Sequence, residues 1–243
     1  MTADPVDPKL RQHFEEAEKI RIGETSLARP ALRPDAASLR AHFESMIGRS
    51  PSELENPHVE PRVTDTDRAK AVPASVLLAI VLRDPEPTIL LTQRHHGISF
   101  PGHWVFPGGR ADSRDASPIE TALREAEEEI GLDRGRVEVL GRLGDYVSHS
   151  GFRVVPTVAL VHPPFELTPQ PGEVEAIVEV PLSRLVDSSS YFLFRFPTRK
   201  DRAHFAMDMH DAGTSGGDGL MLTGVTVSIA IGFYAELLKT HIA

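Results

Sequence analysis

One segment restricts the fold of this chain more than any other: Ser117 to Ile130, followed by Gly131. Ser117 stands at an N-cap position and Pro118 at the first helical position. Glu120 comes three residues after the cap, which predicts a capping box. Gly131 stands where helices close in the left-handed conformation. Ile119, Leu123, Ala126 and Ile130 recur at helical spacing, so the segment reads as an amphipathic helix with both ends marked. Its other side is unusual. Glu125, Glu128 and Glu129 fall at i, i+3 and i+4, which puts three carboxylates on one face. Like charges at these spacings destabilise a bare helix. The base in the preceding turn, Arg124, lies off that face on the helical wheel.

Apolar runs flank this helix. Ala74 to Leu82 is nearly continuous in apolar residues, as a buried strand would be. Asp84-Pro-Glu-Pro87 marks a turn, and Thr88 to Arg94 reads as the partner strand of a hairpin. Gly97 to Gly109 is loop-like, with a short His103 to Phe106 segment inside it. After the helix, Val137 to Val147, Phe152 to His162 and Glu173 to Pro181 are strand-like, and Leu182 to Val186 reads as a short helix. Tyr191 to Phe196 and His204 to Met209 read as late strands, and Thr223 to Ile242 as a closing helix. Phe192, Phe194 and Phe196 alternate like a half-buried strand. Gly213 to Gly219 reads as a flexible connection, since no Gly-Lys-Ser/Thr follows it. Strands on both sides of a central helix, with another helix at the end, predict an α/β/α sandwich around a mixed sheet.

Residues 1–70 have a different texture: seven prolines and little periodic apolar content. Two short helices are predicted there. One is Pro8 to Ile20. The other is Asp35 to Ile47, capped by Asp35, with Leu39, Phe43, Met46 and Ile47 on its apolar face. This stretch is read as an extension, with its first dozen residues disordered, and 71–243 as the principal domain. The extension either packs on that domain or serves a homodimer contact.

Composition limits the partners. Lys plus Arg is 26 and Asp plus Glu is 35, a formal net charge of −9. An acidic chain is poorly suited to nucleic acid or to an anionic membrane surface. Cysteine is absent, which removes disulfides and thiolate chemistry and fits a cytoplasmic protein. Met1 to Lys9 is polar and lacks the apolar core of a signal peptide. Leu220 to Ala235 carries no charge but is shorter than the ~20 residues a spanning helix needs. His95 and His96 are adjacent, and neighbours on a strand face opposite ways, so they are not read as sharing a metal. Trp104 is read as a packing anchor.

Three carboxylates without a cation on their face suit a hard divalent metal, Mg²⁺ or Mn²⁺. An isolated Glu tract is more usually a solvated face. The flanks decide between the two: Pro107-Gly108-Gly109 precedes the helix, Gly131-Leu132 closes it, and Leu90-Leu-Thr-Gln-Arg94 lies upstream. Together these residues resemble the Nudix hydrolase family, whose signature is G-x5-E-x7-R-E-U-x-E-E-x-G-U with U aliphatic. Arg124-Glu125, Ala126, Glu128-Glu129, Gly131 and Leu132 match it in register. Between Gly109 and Arg124 there is one residue more than the signature allows. Ala116 therefore stands where the upstream Glu is expected, with Asp115 beside it as a substitute.

Gly108-Gly-Arg-Ala-Asp-Ser-Arg-Asp-Ala-Ser117 resembles the coenzyme A pyrophosphatase branch of that family, as do Phe106-Pro-Gly-Gly109, Gly151 to Pro156, and Glu173 to Ala176 with Pro181-Leu182. The resemblance runs from about Ala71 to the C-terminus. The branch carries a second basic residue after its Leu-Leu-Thr-x-Arg. Here His95 to Gly102 is one residue shorter and has no such base, which leaves the coenzyme A preference open.

The resemblance implies metal-dependent hydrolysis of a nucleoside diphosphate linked to another moiety. The first candidate is coenzyme A or an acyl-CoA, giving 3′,5′-ADP and a 4′-phosphopantetheine. ADP-ribose or a dinucleotide is the alternative, and a non-catalytic ligand-binding module is the alternative of another class. By resemblance Arg124, Glu125 and Glu128 are catalytic. Glu125, Glu128, Glu129 and the Gly108 carbonyl are expected to bind Mg²⁺ or Mn²⁺, and Arg124 to orient Glu125. Arg94 ends a strand near that place and is expected to contact substrate phosphate. Glu173 and Glu175 are further candidates for the general base.

Overall fold

The computed structural model describes residues 17–49, 63–196, 203–208 and 221–240. The expected disorder of the first dozen residues, most of the Pro8 to Ile20 helix and the Gly213 to Gly219 connection lie outside them. So do the last residues of the expected closing helix.

The main sheet is mixed. β2 (Val72–Val81) runs parallel to β8 (Phe152–Val161) along its whole length. β3 (Thr88–Arg94) meets β2 as a hairpin through Ile80↔Ile89 and Val81↔Thr88. Further along, β3 pairs with β4 (Trp104–Val105), while β5 (Gly108–Arg110) takes its place beside β2. β6 (Val137–Arg142) and β7 (Tyr146–Val147) pair antiparallel to β8, and β9 (Val174–Pro181) pairs antiparallel to β3. A second, antiparallel sheet joins β1 (Glu18–Arg21), β10 (Tyr191–Arg195), β11 (Ala203–Asp208) and β12 (Met221–Thr223).

Strand periodicity separates the two layers that cover the main sheet. Side chains alternate along a strand. Leu77, Ala79 and Val81 face Ala122, Ala126 and Ile130 of a helix spanning Pro118–Ile130. Leu78 and Ile80 face the opposite way, onto helix residues Leu39 and Phe43 and onto Val227 and Phe233. The helices are α1 (Ala36–Glu44), α2 (Asp65–Lys70), α3 (Pro118–Ile130), α4 (Leu182–Leu185) and α5 (Gly224–Leu238). The α/β/α arrangement read from the sequence is the one observed. Among the described residues, no helix is long and apolar enough to cross a membrane.

The local signals act as their chemistry demands, with corrections. Asp35 caps α1, its carboxylate accepting from Ser38 N at 2.8 Å. That helix stops at Glu44, and Ile47, expected on its apolar face, is 81% exposed. Residues 18–20, expected in a helix, lie in β1, paired with β10. Ser117 caps α3 by accepting from Glu120 N at 3.2 Å. The reciprocal half of the capping box does not form, because the Glu120 carboxylate turns to Arg134 at 3.2 Å. Gly131 closes the helix in the left-handed conformation, as predicted (φ 68°). Trp104 packs against the core.

Residues before the main sheet share its core. Ile22, Leu32, Leu39, Phe43 and Met46 are buried with strand and α5 side chains. Arg40 grips Glu138 of β6 with two hydrogen bonds of 2.6 and 2.8 Å, and His162 Nε2 meets the same carboxylate at 2.8 Å. The Glu138 carboxyl is held down at about 2 by Arg40 first and His162 second.

Candidate functional site

α3 lies across the sheet with its Glu residues at the β5 edge. Three features of the chain bring that about: apolar Ala122, Ala126 and Ile130 on the sheet, the cap at Ser117, and the Gly108-Gly109 backbone. Gly109 is required by proximity. A Cβ there would stand 2.4 to 2.7 Å from the Glu125 carboxylate. Gly108 N donates to Glu129 Oε2 at 3.0 Å. The two glycines therefore form a floor against which Glu125 and Glu129 rest.

The three glutamates do not share one environment. Glu129 is 7% exposed and points into the fold. Burial drives its carboxyl up to about 7; the Gly108 N–H and Arg94 pull the other way, and Glu125 and Glu173 add to the rise. Glu125 is also pushed above the ordinary carboxylate range, by burial first and against the pull of Arg124. The Glu128 side chain is 56% exposed. Among the described residues no ion pair reaches Glu129.

Arg124 is not off the acidic face. Its long side chain folds back, so that Nη1 reaches Glu125 Oε1 at 3.0 Å and Glu128 Oε2 at 2.8 Å. Its other side is locked by Asp115. Arg124 Nε donates to Asp115 Oδ1 and Nη2 to Oδ2, each at 2.9 Å, and Nη2 also donates to the Arg110 carbonyl at 3.1 Å. Asp115 accepts further from Thr121 Oγ1 at 2.9 Å and Asp112 N at 2.8 Å. The guanidinium first, with the neighbouring donors, holds the Asp115 carboxyl far below the usual range. Bidentate pairs of this kind fix geometry as well as charge. Asp115, read from the sequence as the substitute for the signature's upstream Glu, spends both oxygens in holding Arg124.

Arg94 stands at the root of the loop between β3 and β4. Its Nε donates to Ser99 O at 2.8 Å, and its charge acts on both Glu129 and His103. Glu173 is near enough to act on Glu125 and Glu129, whereas Glu175 faces His95 Nε2 at 3.7 Å. The loop that carries Glu173 is stitched to the end of α3. Thr168 N donates to Ile130 O at 2.9 Å and Gln170 N to Glu129 O at 2.8 Å, satisfying carbonyls a helix end leaves open.

As placed, no three Asp, Glu or His side chains among the described residues converge on one ion position. Glu125 and Glu129 lie together, and Glu128 is drawn aside by Arg124. The donors are all hard oxygens, the chemistry that suits Mg²⁺ or Mn²⁺. A buried carboxylate with no ion pair is also what such a cation would relieve. The donor set therefore fits a hard divalent cation. An open groove of about 470 Å³, lined by Leu90, Leu167, Pro169, Ile177, Val178 and Glu179, contains none of the α3 glutamates. Having no convergent charge, it is a less suitable place for phosphate chemistry than the carboxylate site.

A family model described as NUDIX domain matches residues 73–202, more than half of the chain. An uncharacterized Nudix hydrolase NudL of Photorhabdus laumondii is 44% identical over 140 residues, covering 57% of this chain and 72% of that protein. Its counterpart in Yersinia enterocolitica is 47% identical over 120 residues, covering 49% of this chain and 61% of that protein. The matches thus span about three fifths to three quarters of these relatives' lengths. Among solved structures, a MutT/nudix family protein from Enterococcus faecalis is 18% identical with a TM-score of 0.45, covering 85% of this chain and 75% of that one.

Proposed function

Since the chain belongs to the Nudix hydrolase family, we propose that it hydrolyses the diphosphate bridge of a nucleoside diphosphate derivative, with coenzyme A or an acyl-CoA as the first substrate. Water oxygen bonds to one phosphorus, the bridging P–O bond breaks, and two phosphate monoesters leave. For coenzyme A these are 3′,5′-ADP and 4′-phosphopantetheine. The observation that carries this reading is the pair Glu125 and Glu129 packed on the Gly108-Gly109 floor, with Glu129 buried and reached by no ion pair among the described residues.

Glu125, Glu128 and Glu129, with the Gly108 carbonyl, would hold Mg²⁺ or Mn²⁺, which when bound supplies charge neutralisation at phosphate oxygens and activation of water. Arg124 positions Glu125 and Glu128 through Nη1, and Asp115 keeps it in place from the other side. Arg94 would contact a substrate phosphate, a role supported by the reach of its charge to Glu129. The proton released by the attacking water goes to a carboxylate oxygen. Glu128, the most open of the three, and Glu173, on the stitched loop, are the candidates to take it.

The second reading is the same chemistry on ADP-ribose or a dinucleotide. The shortened His95 to Gly102 segment, without a second base, favours it. The test is a panel of diphosphates with Mg²⁺ or Mn²⁺, products identified by mass. Cleavage of coenzyme A to the two named products supports the first reading, and selective cleavage of ADP-ribose the second. Metal binding with no turnover of any member would overturn both and leave a ligand-binding module.

A further inference from the structure

The loop between β3 and β4 is held from several sides. Arg94 N donates to His103 O at 3.0 Å and Gly102 N to Arg94 O at 2.9 Å. Arg94 Nε donates to Ser99 O at 2.8 Å, and Gly97 N to His95 Nδ1 at 3.0 Å. At the tip of this pinned loop stands Phe100. It is the one non-glycine residue with positive φ among the described residues, at 57°. A bulky side chain in that region is a genuine outlier, and the conformation is strained. Pro101 follows, and a residue before proline is pushed toward extended backbone. The strain is not repaid by burial. The residue is 57% exposed, and its ring makes one edge contact, to His103 at 6.0 Å between centroids. Six other phenylalanines, Phe43, Phe106, Phe192, Phe194, Phe196 and Phe233, are buried.

Folding alone gives no reason to hold an aromatic ring out in solvent on a strained, tied backbone. The neighbourhood supplies one. Ser99, next to Phe100, is bonded to Arg94, whose charge reaches Glu129 and the carboxylate site. An exposed apolar ring is thus carried one residue from the carbonyl that Arg94 holds, and an arginine is a group suited to phosphate. A nucleoside phosphate has that shape: a planar base joined through ribose to an anion. Stacking on an exposed aromatic face tolerates any base and favours a base-bearing ligand over a base-free one.

We propose that Phe100 is the stacking platform for the nucleobase of the substrate, positioned by the Arg94-anchored loop. This rests on the hydrolase reading above for the location of the phosphates, and the test separates the two. The probes are AMP and ribose 5-phosphate, neither of which has a bridge to cleave. Each is titrated calorimetrically with Mg²⁺ into the full chain, into Phe100→Tyr and into Phe100→Asn. Asn tolerates positive φ, so it removes the ring without adding strain. Phe100→Gly is the second ring-free variant should Phe100→Asn fail to fold.

The unaltered protein is expected to bind AMP about tenfold tighter than ribose 5-phosphate. Phe100→Tyr keeps that ratio, and the ring-free variants bring it close to one. Equal binding of the two probes by the unaltered protein, detectable or not, overturns the proposal. So does a ratio that survives loss of the ring. Hydrolysis of diphosphates together with equal binding of AMP and ribose 5-phosphate would refute the platform and leave the hydrolase reading intact. A ring-dependent preference without turnover of any diphosphate would do the reverse.

Discussion

Gly109→Ala is a single methyl placed against Glu125. The Cβ built at position 109 would meet Glu125 Oε2 at 2.4 Å, Cδ at 2.5 Å and Oε1 at 2.7 Å, all below any tolerated contact. Gly109 has an ordinary backbone φ, so alanine brings no conformational penalty of its own. The atoms struck are the far end of a flexible side chain, so the clash is relieved by moving the carboxylate roughly 1 Å rather than by moving the sheet. Stability should therefore change little, within about 1 kcal/mol. Activity should not survive as well. A displacement of about 1 Å in a positioned group costs on the order of 100-fold. The Glu125 carboxylate is also tied to Arg124 at 3.0 Å, so the shift disturbs the arginine and Glu128 with it. The assays are thermal unfolding and steady-state diphosphate hydrolysis with saturating Mg²⁺. Gly108→Ala is the contrasting variant, because its Cβ would meet backbone, Ser75 O at 2.3 Å and Val76 Cα at 2.6 Å. It should lower the melting temperature clearly. Full activity of Gly109→Ala, or equal destabilisation by both variants, would refute the reasoning.

Glu128→Gln is expected to lower kcat by about 100-fold or more with the melting temperature unchanged, since the side chain is open to solvent. Retained turnover at saturating Mg²⁺ would remove it from the machinery. Glu129→Gln should abolish turnover and weaken Mn²⁺ binding measured by calorimetry, with Gly108 N still able to donate to the amide oxygen. Asp115→Asn breaks the fork that holds Arg124 and should reduce kcat/KM about 10- to 100-fold without changing which substrates are cleaved. The Glu138 carboxyl sits at about 2, below its ordinary 4.5, so the stability it contributes is present above pH 4.5 and lost as pH falls toward 2. The pair is partly solvent-exposed, so that contribution is at most about 1 kcal/mol. Melting curves of the unaltered protein and Glu138→Gln should accordingly differ at pH 7 and converge by pH 2.

Much of the fold could be read from local signals, and its failures share a cause. The β2 strand announced itself by a continuous apolar run, because it is covered on both faces. The helix α3 announced both ends, because Ser117 and Gly131 act within their own turn. β1 was misread because what makes it a strand is β10, far along the chain. β5 hid inside a glycine-rich loop for the same reason, its partner being β2. At the site, spacing placed three carboxylates on one side of a helix. It could not say that Arg124 would bend back onto them, because a helical wheel places Cα atoms and a guanidinium reaches past its neighbours. Asp115 and Phe100 were beyond it too. Asp115 was visible as an acid near an expected acid, but its partner was not. For Phe100 the available signal was an aromatic before a proline, which gains meaning only with the backbone angle.

The opposite layer of the main sheet bears on how this protein can be handled. Residues 73–202 carry the family likeness and the carboxylates. The apolar side chains that cover Leu78, Ile80 and Leu91 come from Leu39 and Phe43 before that span and from Val227, Ile229 and Phe233 after it. A fragment trimmed to the recognisable boundaries would keep Glu125, Glu128 and Glu129 and strip much of the apolar cover from one side of its own sheet. Such a fragment should aggregate rather than work, and the smallest piece worth producing is one that retains both flanks.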